Sequence, residues 1–229
     1  MSHGKQFTFY THKMGPNGWK VAFVLEELGL SYESVYLDIN GGEHKRPPFT
    51  DINPNGRIPA LVDHHNGDFA IWESGAIILY LVDKYDTEKR ISVADEKERY
   101  HLIQWLFFQM SGQGPYFGQA FWFMRYHPEK VPSAVERYQK EILRVFSVLD
   151  GVLAKALGGY LVGGKPTVAD LSFVPWNNAA MRYALQGLEG VDIPKQYPAF
   201  YAWHQKLVER EHVKKLLALQ AKFAQEAGL

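Results

Sequence analysis

Two strings, Arg57-Ile58-Pro59-Ala60-Leu61-Val62-Asp63 and Ile71-Trp72-Glu73-Ser74-Gly75-Ala76-Ile77, flank a polar tip, His64-His65-Asn66-Gly67-Asp68. Asn-Gly between two apolar runs is the strongest short-range sign of a hairpin. The first string therefore predicts a strand, and the second its antiparallel neighbour, turning into a helix at Glu73. A proline at the mouth of a strand cannot join the ladder, and an X-Pro bond is cheap to hold cis, so Pro59 leaves the Ile58 amide and carbonyl available on one side. At the start of the next helix Ser74 offers a hydroxyl beside N–H groups that lack intrahelical partners, a place that favours a carboxylate. Together these devices suit a small extended peptide with a free carboxylate.

The chain has 229 residues, enough for one large domain or two small ones, and its 25 basic and 25 acidic residues balance. No basic block stands out, so there is no electrostatic case for nucleic acid or an acidic membrane surface. No long apolar run or basic-then-apolar leader is present and strand-like sequence begins at Lys5-Gln6-Phe7-Thr8-Phe9-Tyr10, which gives the expectation of a cytoplasmic protein. There is no cysteine, which excludes disulfides, thiolate metal sites and any thiol chemistry borne by the protein. Of the nine histidines, His64 and His65 are adjacent at a hairpin tip and point apart, and no HExxH pattern occurs, so no metal is expected.

The first part alternates strand and helix. Val21, Val24, Leu25 and Leu28 fall at helical spacing, Glu26 and Glu27 take the other face, and Gly29 ends the helix. Glu33-Ser34-Val35-Tyr36-Leu37 reads as a second strand, parallel to the first because a helix separates them. A short helix after Pro48, the hairpin and a helix from Glu73 to Tyr85 complete a β-α-β-α-β-β-α unit that looks like a thioredoxin fold. From Val93 onward the pattern is helical. Leu102, Ile103, Leu106, Phe107 and Met110 trace one face, and Val135, Tyr138, Ile142, Phe146, Leu149 and Leu153 another. Phe107 and Met110 are read as core. Gly112, Gly114 and Pro115 are expected to interrupt the helix and open space. Thr167-Val168-Ala169-Asp170 has the form of a capping box, and further helices follow Pro198. The fold class expected is α/β plus all-α: a sheet domain over 1–86, a polar linker Asp86-Thr87-Glu88-Lys89-Arg90, and an all-helical domain over 93–229.

Ile58-Pro59-Ala60-Leu61 followed by Glu73-Ser74-Gly75-Ala76-Ile77 resembles the glutathione site of cytosolic glutathione transferases. Gly15-Pro16-Asn17-Gly18-Trp19-Lys20-Val21, Gly42-Glu43-His44-Lys45 and Asn53-Pro54-Asn55-Gly56-Arg57 narrow the likeness to the class related to the yeast nitrogen-catabolite regulator. The resemblance implies a thioredoxin-like N-terminal domain, an all-helical C-terminal domain, a homodimer and glutathione as substrate. It implies that Ile58 and Pro59 hold the cysteinyl backbone, Glu73 and Ser74 the γ-glutamyl end, and Arg57 and His44 the glycyl end. On the residues alone Arg57 and His44 are equally read as solvated charges. The function implied is attack of the glutathione thiol on hydrophobic electrophiles. Disulfide reduction or peroxidase chemistry at the same site is an alternative, and so is a non-catalytic binding or regulatory role.

In a β-α-β sheet ligands gather at strand carboxyl ends beside helix N-termini. Asn17 lies in that turn, where its N–H₂ can donate to a thiolate. A thiol of ordinary pKa near 8.5 that loses about two units gains roughly 2.7 kcal/mol of preference for the anion. On the residues alone the commoner role of Asn here, a helix cap, is the reading to prefer, and the resemblance moves it to the catalytic role. Many family members use a Ser or Tyr hydroxyl here, whereas Gly15-Pro16-Asn17 leaves Asn17 as the donor. The segment from Trp105 to Tyr126 is rich in aromatics, and Gln109, Tyr116, Trp122 and Arg125 are taken as the rim of an apolar electrophile cleft.

Overall fold

The computed structural model describes residues 4–228, which form two compact units. The first contains β1 (Phe7–Thr11), α1 (Pro16–Glu27), β2 (Tyr32–Tyr36), α2 (Phe49–Ile52), β3 (Ala60–Asp63), β4 (Phe69–Trp72) and α3 (Ser74–Tyr85). Its strands are ordered β2-β1-β3-β4, with β1 parallel to β2 and antiparallel to β3, and β4 antiparallel to β3. This is the thioredoxin-like arrangement. Alternation along β1 sends Phe7 and Phe9 to one face, where Phe7 meets Tyr85 of α3 edge to face with centroids 5.5 Å apart. Tyr10 goes to the other face, beside Phe49 of α2, Val35 and Ala60. Burying each phenylalanine contributes roughly 1.5–3 kcal/mol.

The second unit spans Ile91–Arg210, and among its residues no strand occurs. It holds α4 (Glu96–Phe108), α5 (Gly114–Phe121), α6 (Pro132–Leu153), α7 (Val168–Ala179), α8 (Ile193–Gln196) and α9 (Pro198–Val208). Ile142, Phe146, Leu149 and Leu153 of α6 are buried on one face. The capping box at Thr167 is present, and its acid does more than cap. Asp170 accepts from the Thr167 N–H and hydroxyl, from the Leu161 N–H and from Trp203 Nε1, all within 3.0 Å.

Several sequence expectations are corrected. The last helix, α10 (Glu211–Glu226), groups with the sheet unit instead of the helical one, whose boundary falls after Arg90. It packs on α1, with Lys215 Nζ donating to Glu26 at 2.9 Å and Phe223 between Trp19 and Tyr36. Because α1 is covered by α3 and α10, its polar face is lost, and Glu27 is buried rather than outward. Gly112, Gly114 and Pro115 do not break the helix. A π-turn over Gln109–Gln113 carries α4 into α5, with the Gly114 N–H donating to the Gln109 carbonyl five residues back. Leu102, Trp105, Leu106 and Gln109 form the buried face of this stretch, so Phe107 is turned outward, 65% exposed, and Met110 is half-buried.

His204 of α9 is buried, with Nε2 2.8 Å from the Asn178 amide oxygen and Nδ1 without a partner among the described residues. Burial pulls its pKa from 6.5 down to about 4. The unfolded chain takes up this proton first, so stability falls as pH drops from about 6.5 towards 4, by on the order of 3 kcal/mol, and this group has no effect above neutrality. Urea unfolding of the parent and of His204→Phe, each at about pH 4.5 and 7.5, is expected to show a smaller pH difference for the variant.

Candidate active site

The turn from β1 into α1 is held by local hydrogen bonds, one within the main chain and two involving side chains. The Gly15 N–H donates to the His12 carbonyl at 3.2 Å, the Met14 N–H to His12 Nδ1 at 3.2 Å, and Trp19 Nε1 to the Lys13 carbonyl at 3.0 Å. Gly15 is the N-cap and Pro16 opens the helix, so half-buried Asn17 stands one residue inside the first turn and is not the cap. A Cβ on Gly15 would come within 2.8 Å of Ile58 Cδ1, so this turn lies directly on the mouth of β3. The Ile58-Pro59 bond is cis, and the β3 ladder begins at Ala60, paired with Tyr10 and Trp72, which leaves half-buried Ile58 outside it.

The approach to Ile58 is braced by buried Asn53. Its Nδ2 donates to the Arg57 carbonyl at 2.5 Å and its Oδ1 accepts from the Asn55 N–H at 3.0 Å. Gly56 sits at φ 60° with its Cα face against the His44 carbonyl, where a Cβ would stand 2.7 Å away, so only glycine fits this crossing. His44 is half-buried, and Arg57 is exposed. The His44 ring is held below its usual pKa by burial first and then by Lys45 and Arg57. His12 is held below its own by burial first, against the pull of Asp38, with His44 and Lys13 adding to the depression. The structure thus brings His12, His44, Lys45 and Arg57 into one electropositive neighbourhood with both imidazoles neutral at physiological pH. Sequence reasoning missed His12 and Lys45. The position of His12 at the carboxyl end of β1 was the available signal.

At the other end, exposed Glu73 carries φ 68° and ψ 115°, a conformation that costs a residue other than glycine about 1–3 kcal/mol. Ser74 follows as the first residue of α3 and is buried. The helix is locked in place by Asp63 at the end of β3. That carboxylate is fully buried and accepts from the Tyr80 hydroxyl at 2.6 Å, from the Tyr85 hydroxyl and from the His65 N–H at 3.0 Å. Glu73 also acts electrostatically on Lys20, a buried lysine of α1 that sequence reasoning left unremarked.

The remaining expected residues lie in the helical unit. Gln109 is fully buried and donates to Gln113 at 2.8 Å, which donates to Asn177 at 2.7 Å, so its carboxamide belongs to the interior of that unit and not to a rim. Tyr116 is half-buried on α5, 6.3 Å from the Tyr138 ring. Trp122 and Arg125 are exposed in a π-turn, Trp122 beside Tyr126 and Arg125 4.9 Å over the Tyr183 ring. Among the described residues no group of three or more His, Asp or Glu could hold a metal ion.

A cis-proline strand mouth, a helix starting at a buried serine and the opening turn of α1 belong to a thioredoxin-like unit, followed in the chain by a helical one. Residues 5–83 match the Glutathione S-transferase N-terminal domain and residues 113–211 the Glutathione S-transferase C-terminal domain. The chain belongs to the glutathione S-transferase family. Glutathione S-transferase 2 of Schizosaccharomyces pombe is 50% identical over 221 residues, covering 91% of this chain and 93% of its own. The crystal structure of the glutathione transferase URE2P6 from Phanerochaete chrysosporium in complex with oxidized glutathione is 59% identical, with a TM-score of 0.92 over 97% of this chain and 99% of that one. Ure2p5 from the same organism, cocrystallized with 1-(S-glutathionyl)-2,4-dinitrobenzene, is 50% identical, with a TM-score of 0.90 over 98% of each chain.

Removing the Asp63 carboxylate takes the acceptor from the Tyr80 and Tyr85 hydroxyls and leaves the Asn66 amide on Tyr80 as the remaining side-chain hydrogen bond shown between α3 and the hairpin. Asp63→Ala is expected to cost about 3 kcal/mol in urea unfolding, and more than the sum of two exposed hydrogen bonds, because the groups it leaves are largely buried.

Proposed function

We propose that the site binds glutathione extended across the mouth of β3 and activates its thiol for attack on hydrophobic electrophiles. The observation that carries this is the pairing of an Ile58 backbone outside the ladder with a buried Ser74 at the start of α3. Ile58 meets the cysteinyl main chain. The γ-glutamyl carboxylate takes the Ser74 hydroxyl and the first N–H groups of α3, and its ammonium faces Glu73. The glycyl carboxylate is attracted by Arg57 and Lys45, with His44 beside it. The thiol loses its proton to solvent, and the anion is favoured by the Asn17 N–H₂ and the opening turn of α1. The thiolate sulfur then forms a bond to the electrophilic carbon as the leaving group departs with its electron pair. For the electrophile we propose Tyr116, Trp122 and Arg125, whose rings and guanidinium suit a planar apolar molecule. The oxidized glutathione and the 1-(S-glutathionyl)-2,4-dinitrobenzene held by the two relatives support this reading.

A second reading keeps the site and changes the acceptor. With no cysteine in the chain, disulfide reduction here requires two glutathiones in turn, and the oxidized glutathione bound by a relative favours keeping this reading. Rates with a chlorodinitrobenzene acceptor and with a mixed disulfide, measured side by side, separate the two. We also propose a cytosolic homodimer, as the family likeness implies. The exposed Phe69 and Trp72 on edge strand β4 are in keeping with it, and among the described residues no helix is long and apolar enough to cross a membrane.

Ser74→Ala is expected to weaken glutathione binding ten- to a hundred-fold, about 1.5–3 kcal/mol, in calorimetry, with the fold intact. Unchanged affinity would place the tripeptide elsewhere. Asn17→Ala is expected to leave affinity nearly unchanged while moving the midpoint of the pH–rate profile upward, because the anion then forms only in more alkaline buffer. Profiles with one shared midpoint would remove Asn17 from the chemistry.

A further inference from the structure

Four Asn-Gly pairs occur in the chain, at Asn17-Gly18, Asn40-Gly41, Asn55-Gly56 and Asn66-Gly67. An asparagine before glycine loses its side-chain amide readily, because glycine puts no side chain in the way of ring closure. The glycine main-chain nitrogen bonds to the asparagine Cγ and the Cγ–Nδ2 bond breaks. The glycine N–H proton ends on the departing nitrogen, which leaves as ammonia, and a succinimide ring remains. Water opens the ring at either carbonyl, giving aspartate or its β-linked isomer, so a neutral carboxamide becomes a carboxylate. The attacking N–H must first give up any hydrogen bond and the turn must deform, so the fold decides which of four like pairs reacts.

Three of the pairs are held. Gly18 is buried in the first turn of α1, and its N–H donates to the Gly15 carbonyl at 3.1 Å. The Gly41 N–H donates to Asp38 Oδ1 at 2.8 Å. Gly56 is buried in the crossing against the His44 carbonyl, and its N–H donates to the Asn53 carbonyl at 2.9 Å. The fourth pair differs. Residues 64–68 are all exposed, and Gly67 stands at φ 68° after the 3₁₀ turn His64–Asn66. Its N–H has no acceptor in ordinary hydrogen-bond geometry among the described residues. A Cβ on Gly67 would meet nothing within 4 Å, so the tip has room to rearrange.

We propose that Asn66 is a deamidation site at the hairpin tip, selected from the four pairs by its unengaged glycine N–H, and that its conversion loosens the anchoring of α3. The Asn66 carboxamide donates to the Tyr80 hydroxyl at 3.1 Å, and that hydroxyl donates to Asp63 at 2.6 Å. A carboxylate at position 66 has no hydrogen to offer. The single Tyr80 hydrogen is already committed to Asp63, so two carboxylates then crowd one phenol. The β-linked isomer also adds a main-chain atom to the tip. Because Tyr80 belongs to α3, chemistry at the tip reaches the helix that starts at Ser74.

The test incubates the folded full chain in warm, mildly alkaline buffer beside the same chain in concentrated urea. Peptides are followed by mass spectrometry with fragmentation that separates aspartate from its β-linked isomer. In the folded chain the peptide carrying Asn66 is expected to convert several-fold faster than those carrying Asn17, Asn40 and Asn55. In urea the four rates are expected to converge, because each asparagine then has the same neighbour and no fold around it. Folded-state conversion led by another pair, or the same ranking with and without urea, overturns the selection of Asn66 by the fold. Asn66→Asp supplies the carboxylate directly. It is expected to lower the urea midpoint of the parent, and to lower it less in a Tyr80→Phe background, where the phenol is absent. No loss in the parent, or equal losses in the two backgrounds, overturns the link to α3. Should Tyr80→Phe not fold, hydrogen-exchange protection of α3 in Asn66→Asp decides the matter: reduced protection is expected, and unchanged protection overturns the link.

Discussion

Where α3 begins is decided by one buried carboxylate. Asp63 ends β3 opposite Phe7, takes the hydroxyls of Tyr80 and Tyr85 from the far part of α3, and takes the His65 N–H from the hairpin tip. With two phenols on one carboxylate, α3 can neither slide along the sheet nor rotate on it. The chain must then pass from the last pair of β4, at Trp72, to the first helical residue, Ser74, through a single residue. Glu73 takes that passage at positive φ, and the cost is absorbed by the anchoring further along the helix. The strained residue is also the one proposed to face the ligand's ammonium, so sheet register, helix position and the place of that carboxylate-bearing residue are fixed together.

The groups proposed to hold the ligand divide into two kinds. Main-chain groups at a strand mouth and at two helix starts provide most of the binding surface, and they are positioned by hydrogen bonds of buried Asn53 and Asp63 that never reach the ligand. A single amide side chain, Asn17, is proposed to address the sulfur. Main-chain binding tolerates many side chains, which is why the recognisable motifs are short and scattered over the first unit rather than gathered in one string.

The parts legible in the sequence were those written locally. The Asn66-Gly67 tip, the alternation along β1 and the proline at the mouth of β3 each carry their own geometry, and a helix between two strands dictates that they run parallel. What was not legible depends on which partner an element meets. The apolar stripe of α10, Val213, Leu216 and Ala224, says that one face is covered but not by what. For the same reason Glu27 read as outward, since a helix clad on both sides is indistinguishable in sequence from one clad on a single side. Gly112, Gly114 and Pro115 read as a break, but one widened turn accommodates them and re-phases the face. Ahead of that turn the buried face runs through Leu102, Trp105, Leu106 and Gln109 at ordinary helical spacing, which leaves Phe107 outward. Polar Gln109 gave no sign that it would donate to Gln113, which in turn donates to Asn177, 64 residues further along the chain.

The grouping of α10 with the sheet unit makes that unit discontinuous in the chain, with 120 residues of the helical unit, Ile91–Arg210, set between its parts. A ribosome delivers the chain from its N-terminus, so the sheet, α1 and α3 emerge early but with one flank of α1 bare. The helical unit, continuous in sequence, then has everything it needs to close before α10 exists. Completion of the sheet unit waits for the last contact to be synthesised, a pairing such as Glu26 with Lys215 that joins positions 189 residues apart. During that interval Trp19 and Tyr36 lack the Phe223 ring, and the apolar flank they form stays open on the nascent chain.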